Sequence, residues 1–376
     1  MGSATVAILG GGNGAHMMAA HMALEGVSVN MVEHSRFEKS FRHVLETGEV
    51  TVSGIGPSGV AKLNLATTDF ARGLAGVQWI HLVMAGTGHE LFFQAMLPHL
   101  SDGQNVVIWA GNMASVRLYS LLQRRKPARS VRIFETNTLP YGTRLRAPGH
   151  VELVLWATRV QIAGMPASLA SPVADLKKFF PQLEKGKNAL TTALDNPNPT
   201  VHPAASVLNI GRIEYSKGDF YLYREGLTPA VAKVIRKVYD EGAAIAKKFG
   251  VKLIQYADEE FDTNTSVMGV EFKAPSDTSG VIGAVKGPSS LQDRYFSEDI
   301  PHGLVLRSEL GKRVGVETPV IDGVIALFAA ATQQDYRKTG RTLDYLGLGK
   351  ANRNGISRYL SVGVNPKASK RGGRKR

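Results

Sequence analysis

Gly10, Gly12 and Ala15 are spaced as G-x-G-x-x-A in the run Gly10-Gly11-Gly12-Asn13-Gly14-Ala15. This spacing suits a strand-to-helix turn that receives the pyrophosphate of a dinucleotide. The first glycine permits the tight turn, the second lets the backbone approach the phosphates, and the small third residue lets the helix lie against the strand. Asn13 and Gly14 open that helix, whose unpaired N–H groups and partial positive charge favour an anion. Glu33 ends the next apolar run, where a carboxylate would accept hydrogen bonds from the adenosine ribose and repel a 2′-phosphate. The cofactor favoured by these residues is NAD(H). His34, Ser35 and Arg36 follow directly and could hold a phosphate if Glu33 turned away, so NADP(H) stays open. Arg36 fits equally well as a solvated arginine at a helix start.

A second candidate lies in Asn196-Pro197-Asn198-Pro199-Thr200-Val201-His202-Pro203. This polar, proline-rich stretch falls where the sequence pattern changes, and junctions between domains commonly hold active sites. His202 is the one ionisable residue there after Asp195. An imidazole can take up or release a proton near neutral pH; a surface or capping histidine is the competing reading.

The elements that must position these groups follow from periodicity. Thr5–Leu9 is a short β-branched apolar run, and an Ala- and Met-rich helix runs from the glycines to Leu24 and Gly26. Strand-like runs at 27–33, 77–84, 105–109 and 131–135 alternate with helical patterns at 90–100 and 114–124, which predicts a parallel, doubly wound sheet. Residues 151–162 read as strands closing this domain. Beyond about residue 187 the pattern is helical. Thr228-Pro229 opens one helix, stopped by Gly250, and Thr318-Pro319 opens another. The expected fold is therefore α/β plus all-α: a Rossmann dinucleotide-binding domain over 1–186, a helical domain over 187–362 and a flexible basic tail over 363–376.

Composition narrows the function classes. The 376 residues suffice for two cores, and no apolar run is long enough to span a bilayer. The N-terminus enters a strand almost at once, so a secretory signal does not fit, and a cytoplasmic location is the simplest reading. With no cysteine, thiol catalysis, disulfides and thiolate metal sites are excluded. The histidines are scattered without metal-ligand spacing, so no metal is expected, and His81, His89 and His99 read as ordinary sheet or helix residues. The net charge is +13, and six of those charges sit in the last ten residues, leaving +7 without them. That tail fits a solvated terminus or an anion-binding arm.

The motifs GGGNGAH (Gly10–His16), TLPYGTR (Thr138–Arg144), NPTVHPA (Asn198–Ala204), RYFSED (Arg294–Asp299) and DYRKTGRTLDYLG (Asp335–Gly347) occur in this order. Together they resemble the octopine/nopaline (opine) dehydrogenase family over about residues 5–360. The resemblance implies a Rossmann domain followed by a helical domain, with substrates bound between them. It implies reversible NAD(P)H-dependent joining of an amino acid to a 2-oxo acid. Carried onto this sequence, it makes His202 the proton-transfer histidine and Asp299 the acid that orients and polarises it. Asp299 taken alone fits helix N-terminal chemistry, because Ile300-Pro301 follow. Arg294 becomes a candidate for gripping a substrate carboxylate through its two-pronged donor face, against an ordinary surface salt bridge. Tyr141 and Arg144 are further candidates near the nicotinamide or substrate, although Gly142-Thr143 departs from the family's form of this loop.

Two other readings compete. A 2-oxoacid or hydroxyacid reductase of the ketopantoate or glycerol-phosphate dehydrogenase type shares the fold, but those families usually place a lysine at the domain junction. A nucleotide-binding protein acting on a polyanion without turnover would use the basic surface, yet no aromatic-studded platform for a specific nucleic acid accompanies the tail. The expected partners are a small amino acid and a 2-oxo acid, with no membrane; a homodimer is allowed.

Overall fold

The computed structural model describes residues 5–125, 130–261, 272–273 and 286–364. The basic segment 367–376 lies outside the described residues.

The N-terminal half runs β1 (Thr5–Leu9), α1 (Asn13–Leu24), β2 (Ser28–Val32), α2 (Glu38–Thr47), β3 (Glu49–Gly54), β4 (Gly59–Lys62), β5 (Leu65–Thr67), α3 (Phe70–Leu74) and β6 (Trp79–Leu82). It continues with α4 (His89–Met96), β7 (Asn105–Ile108), α5 (Ala114–Gln123), β8 (Arg132–Thr136), β9 (Tyr141–Ala147), β10 (His150–Ala157), β11 (Val160–Met165), α6 (Val173–Leu176) and β12 (Leu183–Lys185). Among the described residues, eight strands form one sheet in the order β12-β11-β8-β7-β6-β1-β2-β5. β6 and β2 flank β1 in parallel, with Val6 beside Trp79 and Val29. The sheet is not wholly parallel: β11 runs antiparallel to β8, Ile162 opposite Thr136.

A second sheet, β13-β10-β3-β4 with β13 formed by Phe272–Lys273 and β9 paired to β10, departs from the single sheet expected. Its cause lies in α1. Residues 15–22 of that helix are all buried, including Met17, Met18 and Met22. A helix apolar on every side must be covered on every side, and the main sheet covers only one face. The second sheet covers the other, with Val50, Val52, Val151 and Leu153 joining the α1 methionines in one core. Each buried methionine contributes roughly 1.5–3 kcal/mol.

The C-terminal half contains α7 (Ala189–Leu194), α8 (Pro197–Val207), α9 (Ile210–Ser216), α10 (Pro229–Phe249), α11 (Arg294–Ser297), α12 (Val305–Val314), α13 (Pro319–Thr332), α14 (Tyr336–Thr339) and α15 (Arg353–Val362). One short strand, β13 (Phe272–Lys273), pairs with β10, so this half is not wholly helical. Thr228 caps α10 through the Val231 N–H, and Gly250 closes it at φ 65°. The start of α13 is capped differently from the expected Thr-Pro pattern. The Glu241 carboxylate of α10 accepts the Val320 and Ile321 N–H groups at 2.8 and 3.0 Å. Phe296, Phe328 and Tyr336 stack in series at the centre of this half.

Candidate active site

The glycine turn joins β1 to α1. Gly10 has φ 118°, and a side chain there would strike the Val83 carbonyl; only glycine fits both conditions. A side chain at Gly12 would instead point into open space at the helix start. The first-turn N–H groups of α1 have no intrahelical partner by geometry. Gly14 packs its α-carbon against Leu139 and Val83, and buried Ala15 faces Gly10. The Asn13 side chain is used structurally: its amide bridges the Thr143 carbonyl and the Leu145 N–H, tying β9 to the helix start. Glu33 has not turned away. Its carboxylate accepts the His34 N–H at 2.7 Å and lies against Gly11, where any side chain would collide with it. Burial pushes its pKa up to about 7, against the backbone hydrogen bonds from His34 and Gly11. Arg36 is exposed on the turn that follows. An anion-binding helix start, an open glycine and a carboxylate beside them suit a dinucleotide.

The Asn196–Pro203 segment, read from sequence as a junction, is the first part of α8. Asn196 caps it through the Asn198 N–H at 3.0 Å, and Pro197 takes the first position. His202 lies within this helix and is buried. Its Nδ1 is 2.8 Å from Asp299 Oδ2 and its Nε2 is 2.9 Å from the Tyr223 hydroxyl. With Nδ1–H donated to Asp299, a neutral imidazole presents Nε2 as the acceptor and Tyr223 donates to it. The Tyr295 ring lies flat on the imidazole, centroids 3.9 Å apart. Both Tyr223 (in the turn Leu222–Gly226) and Asp299 (in Asp299–Leu304) sit on π-helical turns, a form that recurs at functional sites. Gly303 lets the second turn press on α8, because a side chain there would overlap Pro199.

Buried Arg307 of α12 fixes the other end of the site. It donates to Thr200 Oγ1 at 2.8 Å and to the Leu194 and Asn196 carbonyls. Burial lowers its pKa to about 10, partly offset by Asp195 and Asp299.

The helical half also grips the loops that leave the carboxyl ends of β6 and β7, the edge where open α/β sheets bind ligands. Glu298 accepts the Gly86 N–H at 2.8 Å. Asn196 donates to Asn112 Oδ1 at 3.0 Å. Arg341 donates to the Gly111 and Asn112 carbonyls and to His89 Nδ1. Ala110, Asn112 and Met113 in this loop all have positive φ, a strain of roughly 1–3 kcal/mol each that persists only where neighbours enforce it. Glu135 is one such neighbour, accepting the Met113 and Ser115 N–H groups at 3.0 and 2.9 Å.

The other residues singled out from sequence divide. Arg294 starts α11 with a half-exposed guanidinium 4.0 Å from Glu298. Arg144 extends from β9, and both arginines bring positive charge to Tyr223. Tyr141 is not with this group. It is buried among His21, Trp156 and Phe180 in the core between α1 and the second sheet. His89 begins α4, and its ring accepts from Arg341 across the two halves. Tyr223, Tyr295, Glu298, Arg307 and Arg341 escaped the sequence reading. The signals were slight: Glu298 and Tyr295 flank residues that were chosen, and Arg307 directly follows the apolar run Leu304-Val305-Leu306.

A Rossmann sheet whose glycine turn and β-loops meet a helical half carrying an Asp–His pair defines a dinucleotide-dependent oxidoreductase. Residues 185–332 match the family described as NAD/NADP octopine/nopaline dehydrogenase, alpha-helical domain. Over 347 residues the chain is 32% identical to the opine dehydrogenase of Arthrobacter sp. (strain 1C), covering 92% of this chain and 96% of that protein. The chain belongs to the opine dehydrogenase family, NAD(P)-dependent oxidoreductases that act on CH–NH bonds. Its fold resembles octopine dehydrogenase in complex with NADH and agmatine, with a TM-score of 0.70 at 19% identity and 100% of both chains covered. It also resembles NADP+-bound yersinopine dehydrogenase, with a TM-score of 0.69 at 15% identity, covering 96% of this chain and 98% of the other. Among the described residues, no helix is long and apolar enough to cross a membrane.

Proposed function

We propose that the protein catalyses the reversible, NAD(P)H-dependent condensation of an amino acid with a 2-oxo acid to a secondary amine dicarboxylate, using His202 as its acid and base. The observation carrying this reading is the buried Asp299–His202 pair, held against the loops at the carboxyl edge of the Rossmann sheet. When bound, the reduced nicotinamide supplies the hydride, and in the reverse direction its oxidised form accepts one.

The chain's own residues do the rest. Gly10, Gly12, Gly14 and Ala15, with the Asn13 backbone N–H, shape the pyrophosphate seat. Glu33 accepts from the ribose, which favours NAD(H), while exposed Arg36 leaves NADP(H) within reach. The two substrates bring two carboxylates, and Arg294 and Arg144, which both bring positive charge to Tyr223, are each able to grip a carboxylate with paired hydrogen bonds. The amine adds to the 2-oxo carbonyl to give a carbinolamine. His202 then delivers a proton to the departing hydroxyl, which leaves as water while the nitrogen lone pair forms the C=N bond. Asp299 stabilises the imidazolium before that transfer and fixes the tautomer after it. In the reverse direction the neutral imidazole takes a proton from the attacking water.

An NADH-oxidation screen tests this reading. Each protein amino acid is paired with pyruvate and with 2-oxoglutarate, and products are weighed by mass spectrometry. Oxidation that requires both substrates, with a product equal to their condensation less water plus two hydrogens, is expected. Oxidation by the 2-oxo acid alone would favour a hydroxyacid reductase.

A further inference from the structure

We infer that Tyr223 is a further catalytic residue, a phenol that carries the proton between His202 Nε2 and the substrate. This rests on the reading of His202 given above and extends it. The imidazole is walled in by the protein: Asp299 holds Nδ1, the Tyr223 hydroxyl holds Nε2 at 2.9 Å, and the Tyr295 ring covers one face. His202 is 5% exposed, whereas Tyr223 is only half-buried. The proton route out of the imidazole therefore passes through the phenol oxygen. Arg144 and Arg294 both bring positive charge to Tyr223, so the neighbourhood of the phenol attracts the substrates' carboxylates. The Tyr223 hydroxyl is aimed at the imidazole, 2.9 Å from Nε2, while Tyr295 stacks on the same ring. Burial, reinforced by Tyr295, keeps its pKa well above the ordinary phenol value, so Tyr223 stays protonated between turnovers.

The relay balances. The Tyr223 O–H bond breaks as its proton reaches the carbinolamine hydroxyl, whose C–O bond breaks to release water. The phenol oxygen simultaneously takes the Nε2 proton of the imidazolium, leaving neutral His202. One proton moves from His202 to the substrate, and Tyr223 ends as it began. The reverse reaction runs the same chain backwards.

Single-turnover stopped-flow measurements of NADH oxidation test the relay, using pyruvate and the amino acid that reacts fastest with it. In mixtures of light and heavy water, the native protein should give a curved proton inventory, because two protons move together. Tyr223→Phe should lower the rate about 10²-fold or more, with NADH affinity and Tm unchanged. A straight native inventory overturns the relay whether or not the variant folds. So does a loss below tenfold in a folded Tyr223→Phe protein: the imidazole would then reach the substrate itself. The parallel His202→Ala variant separates the two claims, since an inactive His202→Ala beside an active Tyr223→Phe overturns the relay alone.

Discussion

Arg341 donates to the backbone carbonyl of Asn112 at 2.9 Å, joining the C-terminal quarter of the chain to the loop that leaves β7. The motif around it, Asp335–Gly347, is thereby given a task. It returns from the helical half and fastens to the Rossmann half, with Tyr345 also donating to Glu90 of α4 at 2.8 Å. Replacing Arg341 by methionine keeps the volume but leaves two carbonyls and the His89 ring without their donor. The expected cost is about 3 kcal/mol, seen as a Tm lower by roughly 4 °C, together with a raised KM for NADH. An unchanged Tm would show that the strained loop holds itself.

Glu33 makes cofactor affinity depend on pH. Burial raises its pKa to about 7, so the carboxylate is mostly protonated at pH 6 and mostly ionised at pH 8. Ribose hydroxyls donate best to the ionised form. NADH should therefore bind about tenfold more tightly at pH 8 than at pH 6, and NADPH should move the other way, because its phosphate meets the same charge. Nicotinamide fluorescence titrations of the native protein and Glu33→Gln measure this. A slope that survives in Glu33→Gln would assign the effect to another group.

Gly303 controls how closely Asp299 approaches His202. A methyl group at 303 overlaps Pro199 of α8 and must push the turn Asp299–Leu304 away. Overpacking of this kind costs roughly 1–3 kcal/mol, and misplacing a catalytic group by about 1 Å can cost 10²-fold in rate. Gly303→Ala should accordingly lower kcat about 10- to 100-fold while NADH affinity holds. Native kcat in Gly303→Ala would mean that the turn and helix can shift together.

Legibility in the sequence followed locality. The strand, glycine turn, helix and Glu33 are contiguous, so their order alone marked the proposed dinucleotide seat. The second sheet was hidden because β4 is short and largely exposed, giving no apolar run, and because β9 begins within the stretch read as the TLPYGTR motif. The same overlap misled the reading of Tyr141. As the first residue of β9 its side chain turns inward to the α1 core, whereas Arg144, three residues on, brings positive charge to Tyr223. His202 stood out in its proline-rich segment, but its pairing with Asp299 was reached only through the family resemblance, since nothing local links residues 97 positions apart. Tyr223 sits in an aromatic run, Phe220-Tyr221-Leu222-Tyr223, that reads as core, and two of its members, Phe220 and Leu222, are fully buried. Arg307 and Arg341 resemble any solvated arginine until folding buries them.

The catalytic rate of His202→Ala, measured beside its NADH affinity, tests the central claim most directly. Asp299→Asn and the double variant complete the set. The account predicts a 10²–10⁴-fold lower rate for His202→Ala with NADH binding intact and a smaller loss for Asp299→Asn. The double variant should fall far less than the product of the two, because paired groups act as one unit. Near-native turnover by His202→Ala would contradict it.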